Sequence, residues 1–416
     1  MNNAVHEHQK PLTSVPGESR REQRRRRRLR RQWIKAAVLT AAAVVIIVLI
    51  YCRITHVPAV TGLREAAVTQ HSIRCIWSTD SVKKADLCQI RWSKSPQMKA
   101  AGSMRVRADR GRAVLRSLHL STVYYIEIRA LRTTPRGRTY YSSWSRPLKA
   151  ETGPMRRTQL LRTLAAADAG SSVASFHSSY RIDRTRAGRA LQRQASALRD
   201  KYDLAFVMID LKSGQGAALA PGKTLYSASC LKGPYVASLN RSAPAGRLTA
   251  DVDNLMKLTI TQSDGAAYEE LFNSFGSSYM RRMMAYSRVS SFSGAEKYDY
   301  LPVRDLAKLW VGTYWYFYRS TNSRSKTCRA WYADSLNSFI HQALHEKYTV
   351  NTKAGWIDSS LYRAQNDAGV VFAGDKNDRH PYILAVMSTA CGEYDALSEL
   401  VQRIDAVHED MVAAGA

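Results

Sequence analysis

The sequence is poor in acidic residues: 34 Asp and Glu stand against 62 Lys and Arg, leaving a formal net charge of +28 over 416 residues. It also has little cysteine, six residues in all. The ten histidines are scattered without the paired spacing typical of metal ligands, so we expect no metal site. The sequence has no glycine-rich nucleotide-binding loop either, and we expect no cofactor.

An arginine-rich segment leads directly into an apolar run. Residues 1–35 form a polar, basic tail, and residues 36–52 are almost entirely apolar. About 17 helical residues rise roughly 25 Å, slightly less than a typical hydrocarbon core. Trp33 and Tyr51 stand at the two ends, where interfacial aromatics are common. Because cationic flanks stay in the cytoplasm, we predict a single-pass cell-membrane anchor with a cytoplasmic N-terminus and extracellular C-terminal domains.

Other interpretations of this segment compete with the anchor. A cleaved signal peptide is the strongest of them, although the bulky sequence Tyr51-Cys52-Arg53 offers no small-x-small cleavage site. Lipid attachment at Cys52 would also place a large tyrosine where a small residue is expected. A nucleic-acid-binding arm would explain the arginines but not the apolar run, so we expect no nucleic-acid partner. The basic balance predicts anionic surroundings such as phospholipid headgroups or wall polymers, or else a basic surface without a specific partner.

Residues 56–152 show the two-residue alternation of short strands. Ile73, Cys75 and Trp77 share one face of such a strand, and we predict an all-β sandwich. The order of its segments resembles a bacterial fibronectin type III domain, which implies a spacer or binding module. The segments that carry the resemblance are Val60-Thr61-Gly62-Leu63, Cys88-Gln89-Ile90-Arg91-Trp92-Ser93, Tyr125-Ile126-Glu127-Ile128-Arg129-Ala130 and Tyr140-Tyr141-Ser142-Ser143-Trp144-Ser145.

Two features of the flanking sequence stay open. Cys75 and Cys88 would both point inward from neighbouring strands, either as a disulfide in an extracytoplasmic setting or as two buried thiols. Residues 153–181 contain one short leucine-bearing helix followed by a Ser/Gly/Ala-rich stretch, and we predict that they form a linker.

Residues 182–416 change to a mixed α and β pattern that contains three short motifs in order. They are Ser229-x-x-Lys232, Ser263-Asp264-Gly265 and Lys353-Ala354-Gly355. If Ser229 opens a helix, Lys232 lies on the same face and its amine is within reach of the hydroxyl. A partly desolvated lysine beside another cation can serve as the base that a serine nucleophile needs.

This ordered set resembles the motifs of serine β-lactamases and penicillin-binding proteins. The resemblance implies a class A β-lactamase-like fold, an α/β (α+β) domain whose antiparallel sheet is flanked by helices. The surroundings that support it are Tyr226-Ser227-Ala228-Ser229, Arg304-Asp305-Leu306-Ala307 and Asn366-Asp367-Ala368-Gly369-Val370-Val371.

The same resemblance implies a role for each motif residue. Ser229 would attack a carbonyl and form an acyl-enzyme, and Lys232 would take or relay its proton. Ser263 would pass a proton to the leaving nitrogen, and Lys353 would bind the substrate carboxylate while keeping the amine of Lys232 partly neutral. The backbone N–H groups of Ser229 and Trp356 would form the oxyanion hole.

The chain departs from the family in two places, the third residue of the middle motif and the active-site loop. Gly355 and Gly265 would both line the substrate, but Gly265 stands where the family usually has an asparagine that holds the substrate amide. The glutamate that activates the deacylating water is also uncertain, because Glu296 is the only glutamate between Met283 and Pro302. We therefore expect acyl-enzymes to be long-lived unless Glu296 is the deacylation base.

Three functions are compatible with these residues. The leading hypothesis is a membrane-anchored, extracytoplasmic serine hydrolase. Its Ser229 would be acylated by D-Ala-D-Ala-type peptides of the cell wall or by β-lactams. A non-catalytic wall-binding or scaffold protein that retains the fold is the alternative. A true β-lactamase that uses Glu296 is the third.

Overall fold

The structure, a computed structural model, describes residues 20–374 and 380–415. Residues 1–19 of the predicted basic tail lie outside these described residues. The first element is helix α1, Arg20–Thr55. The predicted span of 36–52 is therefore only part of a longer helix, because arginine and leucine continue a helix readily.

Helix α1 has the properties of a membrane span. Within the described residues it is the one helix long and apolar enough, over Arg24–Arg53, to cross a membrane, and a signal sequence near the N-terminus has the same properties. Its apolar side chains pack against nothing in the described chain, and Leu39 is 70% exposed. Such a surface is stable in lipid and costly in water.

Eight short strands follow α1 and form two antiparallel sheets. The first sheet has the order β1-β2-β5, and the second has the order β4-β3-β6-β7, with β8 also pairing with β6. The strands are β1 Arg64–Val68, β2 Ile73–Ile76, β3 Leu87–Ser93, β4 Gly102–Arg107, β5 Arg112–Leu115, β6 Val123–Thr133, β7 Thr139–Tyr141 and β8 Leu148–Glu151. Ile73, Ile90 and Ile126 are completely buried between the sheets. The predicted all-β sandwich is observed, and its assignment as a fibronectin type III domain stays a prediction.

The two cysteines of the sandwich are buried thiols. Cys75 and Cys88 are both buried and neither forms a disulfide. Burial raises the pKa of each thiol to about 12, so both are protonated at neutral pH. Of the two alternatives left open by the sequence, the structure therefore contains two buried thiols and not a disulfide.

The C-terminal domain is built on a six-stranded antiparallel sheet with the strand order β14-β15-β16-β10-β11-β9, beside a small ladder of β12 and β13. The strands are β9 Ala174–Phe176, β10 Leu204–Asp210, β11 Gly216–Leu219, β12 Thr224–Tyr226, β13 Tyr300–Pro302, β14 Thr349–Asp358, β15 Arg363–Phe372 and β16 Tyr382–Ser388. The helices are α2 Arg157–Ala166, α3 Arg186–Arg199, α4 Lys232–Ser242, α5 Ala250–Thr261, α6 Gly265–Phe275, α7 Ser278–Ser287, α8 Val303–Thr313, α9 Ser323–Trp331, α10 Phe339–Leu344 and α11 Tyr394–Gly415. The predicted antiparallel sheet flanked by helices is confirmed.

Strand β10 shows why the central strands are apolar throughout. Ala205, Val207 and Ile209 belong to the core on one face of the sheet, which includes α8. Alternate residues, such as Phe206 and Met208, belong to the core on the other face, which includes α3 and α11. Because both faces are covered, neither set of alternating positions can be polar.

The predicted linker over 153–181 is wrong for most of its length. Leu160, Leu161 and Leu164 of α2 are buried in the same core as α8. Strand β9 pairs with β11 and forms the edge of the six-stranded sheet. The domain therefore begins before residue 182. A strand of three residues is too short to give a periodic signal, and the leucine stripe of α2 becomes significant only through its packing partner.

Several contacts between the sandwich and the C-terminal domain involve the turn after β10. Lys212 forms an ion pair with Glu151 at 2.9 Å. The backbone carbonyl of Lys212 accepts hydrogen bonds from the Ser121 hydroxyl at 3.0 Å and from the Met155 N–H at 2.8 Å. The sandwich is thereby attached to the strand that carries the centre of the sheet.

Since α2 belongs to the core, shortening one of its leucines should destabilise the domain. We expect Leu164→Ala to lower the free energy of unfolding by about 2–5 kcal/mol, because the side chain is completely buried. Arg162→Ala, on the exposed face of the same helix, should change it by less than about 0.5 kcal/mol. Denaturant unfolding measures both, and equal stability of the two variants would restore the linker interpretation.

Candidate active site

Ser229 lies in a tight turn at the N-terminus of α4. A 3₁₀ turn over Ala228–Leu231 connects β12 to α4, which begins at Lys232. Ala228, directly before the serine, has a φ of 43°, a left-handed conformation that is strained for a residue with a side chain. Ser229 is partly exposed, and the thiol of buried Cys230 donates a hydrogen bond to the carbonyl oxygen of Lys353 at 3.2 Å. The turn is thereby fixed against β14.

Lys232 is buried and its amine faces two carbonyl groups. The side chain is 1% exposed. Its Nζ donates to the carbonyl oxygens of Ser263 at 2.7 Å and Asp264 at 3.1 Å. Burial, with the nearby charge of Lys353, lowers the pKa of Lys232 to about 7, against a smaller opposing effect of Asp264. A large fraction of this amine is therefore neutral at physiological pH.

Lys353 also contacts Ser263, through the hydroxyl group of that serine. It is completely buried, and its Nζ donates to the Ser263 hydroxyl at 2.9 Å and to the carbonyl oxygen of Ala354 at 2.5 Å. Burial lowers the pKa of Lys353 to about 8, while Cys230 and Asp367 act in the other direction. Ser263 has a φ of 55°, so its strained backbone turns the carbonyl and the hydroxyl toward two different lysines.

Gly355 is the point of closest approach between β14 and the Ser229 turn. A Cβ atom at this position would lie 2.5 Å from the backbone nitrogen of Ser229 and 2.6 Å from that of Cys230. Only glycine fits there. The next residue, Trp356, has its ring centroid 5.8 Å from the Nζ of Lys353. The strand thus runs beside the Ser229 amide, and the predicted oxyanion hole of Ser229 and Trp356 stays a prediction.

Gly265 and Asp264 open helix α6. The Asp264 carboxylate accepts a hydrogen bond from the Ala267 N–H at 2.8 Å, so it is the N-cap of the helix. A Cβ atom at Gly265 would meet no atom within 4 Å. The position that usually holds an asparagine side chain is therefore open space in this protein.

Glu296 is exposed and makes no hydrogen bond or ion pair with any residue that the structure describes. Its role as a deacylation base stays a prediction. The loop side chain that lies beside Lys232 is Tyr298, whose ring centroid is 5.9 Å from the lysine Nζ. Sequence reasoning missed this tyrosine, and the only signal for it was its position in the loop where a glutamate was sought.

Asp367 was also missed as a member of the site. Its carboxylate lies on β15, accepts hydrogen bonds from the Ser338 hydroxyl at 2.6 Å and the Ile340 N–H at 3.0 Å, and is close enough to Lys353 to stabilise its charge. Burial raises the pKa of Asp367 to about 7. The only signal in the sequence was an acidic residue just before the apolar end of the strand, Ala368 to Phe372.

Replacing each of the two glycines of the site by alanine should have opposite effects on the stability of the domain. Gly355→Ala should lower the free energy of unfolding by about 1–3 kcal/mol, because the Cβ atom collides with the Ser229 backbone. Gly265→Ala should leave stability unchanged or raise it, because the space is empty and alanine favours a helix. Thermal unfolding compares the pair. A stable Gly355→Ala variant would show that β14 and the turn are farther apart.

Comparisons with known proteins find similarity over the C-terminal part of the chain. Residues 248–407 match the family model described as the beta-lactamase enzyme family, a range that includes Ser263 and Lys353 and begins after Lys232. No curated protein sequence matches the chain.

Similar solved structures include class A beta-lactamase from Clostridium kluyveri, with 15% identity, a TM-score of 0.44, and coverage of 53% of this chain and 98% of the other. The beta-lactamase from Streptomyces albus G has 19% identity, a TM-score of 0.43, and coverage of 53% and 99%. The one from Streptosporangium roseum has 18% identity, a TM-score of 0.42, and coverage of 54% and 98%. On the family match and the observed sheet, the C-terminal part of the chain is a β-lactamase-like α/β domain.

Proposed function

We propose that the C-terminal domain is a serine hydrolase of the β-lactamase and penicillin-binding group, acylated at Ser229 by D-Ala-D-Ala-type peptides or by β-lactams. The observation that carries this proposal is the pair of buried lysines, Lys232 and Lys353, that contact the two polar groups of Ser263 within one site. Two buried amines are expensive to hold in a fold for structural purposes alone, and perturbed lysines of this kind are typical of catalytic sites.

The hydrogen bonds of Lys232 suit it to act as the base. A neutral amine has two N–H donors and one lone pair. The two carbonyl contacts at Ser263 and Asp264 use both donors, which leaves the lone pair for the proton of the Ser229 hydroxyl. As Ser229 Oγ bonds to the substrate carbonyl carbon, its proton passes to Lys232 Nζ.

The leaving nitrogen then needs a proton, and Ser263 is suited to provide it. Its hydroxyl oxygen accepts a hydrogen bond from Lys353, so its own proton is free to go to the nitrogen as the C–N bond breaks. Lys232 restores that proton to Ser263. The charge of Lys353 binds the substrate carboxylate, and the product is an ester between Ser229 and the acyl group.

Breaking this ester is expected to be slow. In the part of the chain that the structure describes, Lys232 hydrogen-bonds to carbonyl oxygens and to no carboxylate, and Glu296 is exposed without a partner. A long-lived acyl-enzyme is typical of penicillin-binding proteins rather than of β-lactamases. This geometry favours the peptide-directed function over rapid β-lactam hydrolysis.

The N-terminal elements support an extracytoplasmic location. We propose that α1 anchors the chain with its arginine-rich end in the cytoplasm, and that the sandwich is a fibronectin type III-like spacer. The basic balance of the chain suits a surface close to anionic headgroups or wall polymers.

Labelling with a fluorescent penicillin tests the proposal. We expect the full-length protein to be labelled covalently, because Lys232 activates Ser229 for acylation. We expect it to turn over nitrocefin slowly, because no residue that the structure describes is placed to activate the water that would hydrolyse the acyl-enzyme. Ser229→Ala should abolish labelling, whereas Ser242→Ala, at the C-terminal end of helix α4, should not. Absence of labelling in the wild-type protein by either reagent would refute acylation by β-lactams and favour the scaffold function.

The pH dependence of acylation follows from the two lysines. The lowered pKa of Lys232, about 7, predicts that the acylation rate rises with pH as the amine loses its proton. The lowered pKa of Lys353, about 8, predicts a fall at higher pH as the carboxylate-binding charge is lost. Because the two amines interact, the apparent pKa values taken from the rising and falling limbs of the pH–rate profile belong to the pair of lysines.

Replacing Lys353 tests whether the two lysines affect each other's pKa. Lys353→Met removes a positive charge near Lys232, so the pKa of Lys232 should rise and the ascending limb should move to higher pH. Stopped-flow acylation between pH 5 and 10 measures this shift. An ascending limb that stays in place would show that the two amines are not coupled.

A further inference from the structure

We propose that Tyr298 is a positioning residue that covers Lys232 and Ser229 and keeps water away from the acyl-enzyme. The inference rests on the proposed function, since it concerns the lifetime of the Ser229 ester. It assigns a specific cause to slow deacylation, namely a side chain of the loop over residues 294–298, in addition to the exposed position of Glu296.

The loop is held firmly on the C-terminal side of Tyr298. The N–H of Asp299 donates to the Ser227 hydroxyl at 3.1 Å, and the N–H of Ser227 donates to the carbonyl oxygen of Asp299 at 2.9 Å. Ser227 is two residues before Ser229. Residue 299 therefore cannot move away without pulling on the turn that carries the nucleophile.

The N-terminal side of Tyr298 is held by helix α6. The Tyr268 hydroxyl donates to the carbonyl oxygen of Lys297 at 3.2 Å, and the Lys297 amine forms an ion pair with Glu269 at 2.7 Å. Both neighbours of Tyr298 are thus fixed, one to α6 and one to the Ser229 turn. The tyrosine between them has little freedom to leave the site.

Two tyrosine rings flank the amine of Lys232. The ring centroid of Tyr298 is 5.9 Å from the lysine Nζ and that of Tyr268 is 5.5 Å away. The two rings contact each other with centroids 5.8 Å apart. Each ring lies within the range in which an aromatic face attracts an ammonium group. The rings also exclude water from this side of the amine.

The phenol of Tyr298 lies close enough to the Ser229 side chain to interact with it, and that contact favours the ionised phenol. Burial has the larger effect and raises the pKa of Tyr298 to about 12. A phenol that stays protonated at neutral pH can hold a hydroxyl in place. It cannot accept a proton from water as a carboxylate would.

These contacts explain how Tyr298 would act differently on the two half-reactions. In acylation the hydroxyl of Ser229 is already present, and Tyr298 orients it toward Lys232. In deacylation a water oxygen must bond to the ester carbonyl carbon while the bond from that carbon to Ser229 Oγ breaks, and the water gives one proton back to Ser229. The ring occupies a side of the site from which that water could approach with Lys232 as its base.

The test compares Tyr298→Ala and Tyr298→Phe with the wild-type full-length protein. Each protein is acylated with benzylpenicillin, the free antibiotic is removed, and loss of the adduct is followed by intact-protein mass spectrometry, with the acylation rate measured separately. Tyr300→Phe is the matched control, because it removes a phenol hydroxyl from the exposed side of the same segment.

We expect Tyr298→Ala to shorten the adduct lifetime at least tenfold, because water reaches the ester. Tyr298→Phe should retain the wild-type lifetime because the ring is still present, while its acylation rate falls roughly three- to tenfold with loss of the Ser229 contact. Tyr300→Phe should match the wild-type protein in both rates. A general loosening of the fold would instead slow acylation in all three variants.

Two contrary results are distinguishable. If the wild-type protein forms an adduct and Tyr298→Ala retains its lifetime, the proposal for Tyr298 is wrong and the proposed function stands. If the wild-type protein forms no adduct at all, acylation by β-lactams fails, and the proposal for Tyr298 fails with it.

Discussion

The site depends on the burial of two lysine amines against one serine. Lys232 and Lys353 are 1% and 0% exposed, and each contacts a different polar group of Ser263. Water would stabilise both ammonium charges, so excluding it lowers the pKa of each amine and lets one become neutral near physiological pH.

Close contact between backbone segments holds the two lysines and the Ser229 turn together. Gly355 allows β14 to lie against the Ser229 turn, and Cys230 ties the turn to the carbonyl of Lys353. Ser263 has a left-handed backbone and contacts both lysines, one through its carbonyl and one through its hydroxyl. Buried Asp367 compensates part of the charge of Lys353. Left-handed backbone at Ala228 and Ser263 and the buried charges of Lys232, Lys353 and Asp367 therefore occur together at this site.

The sequence predicted the parts of the site that are defined by residue type and order. Ser229, Lys232, Ser263 and Lys353 were selected because the proposed chemistry requires those residue types. The structure brings Lys232 and Lys353 to Ser263, and the catalytic roles of all four stay predictions. Tyr298 and Asp367 were not predicted, because an aromatic residue in a loop and an acid in a strand acquire a role only from their neighbours. The linker prediction failed for the same reason, since α2 and β9 are defined by the surfaces they pack against.

The account depends most directly on the protonation of Lys232. An NMR titration of lysine-labelled protein, with the signal assigned by Lys232→Arg, measures it without any substrate. The account predicts a pKa for Lys232 of about 7 that rises when Lys353 is replaced by methionine. A pKa for Lys232 near 10.5, the ordinary value, would contradict it, because the amine could then not accept the proton of Ser229 at neutral pH.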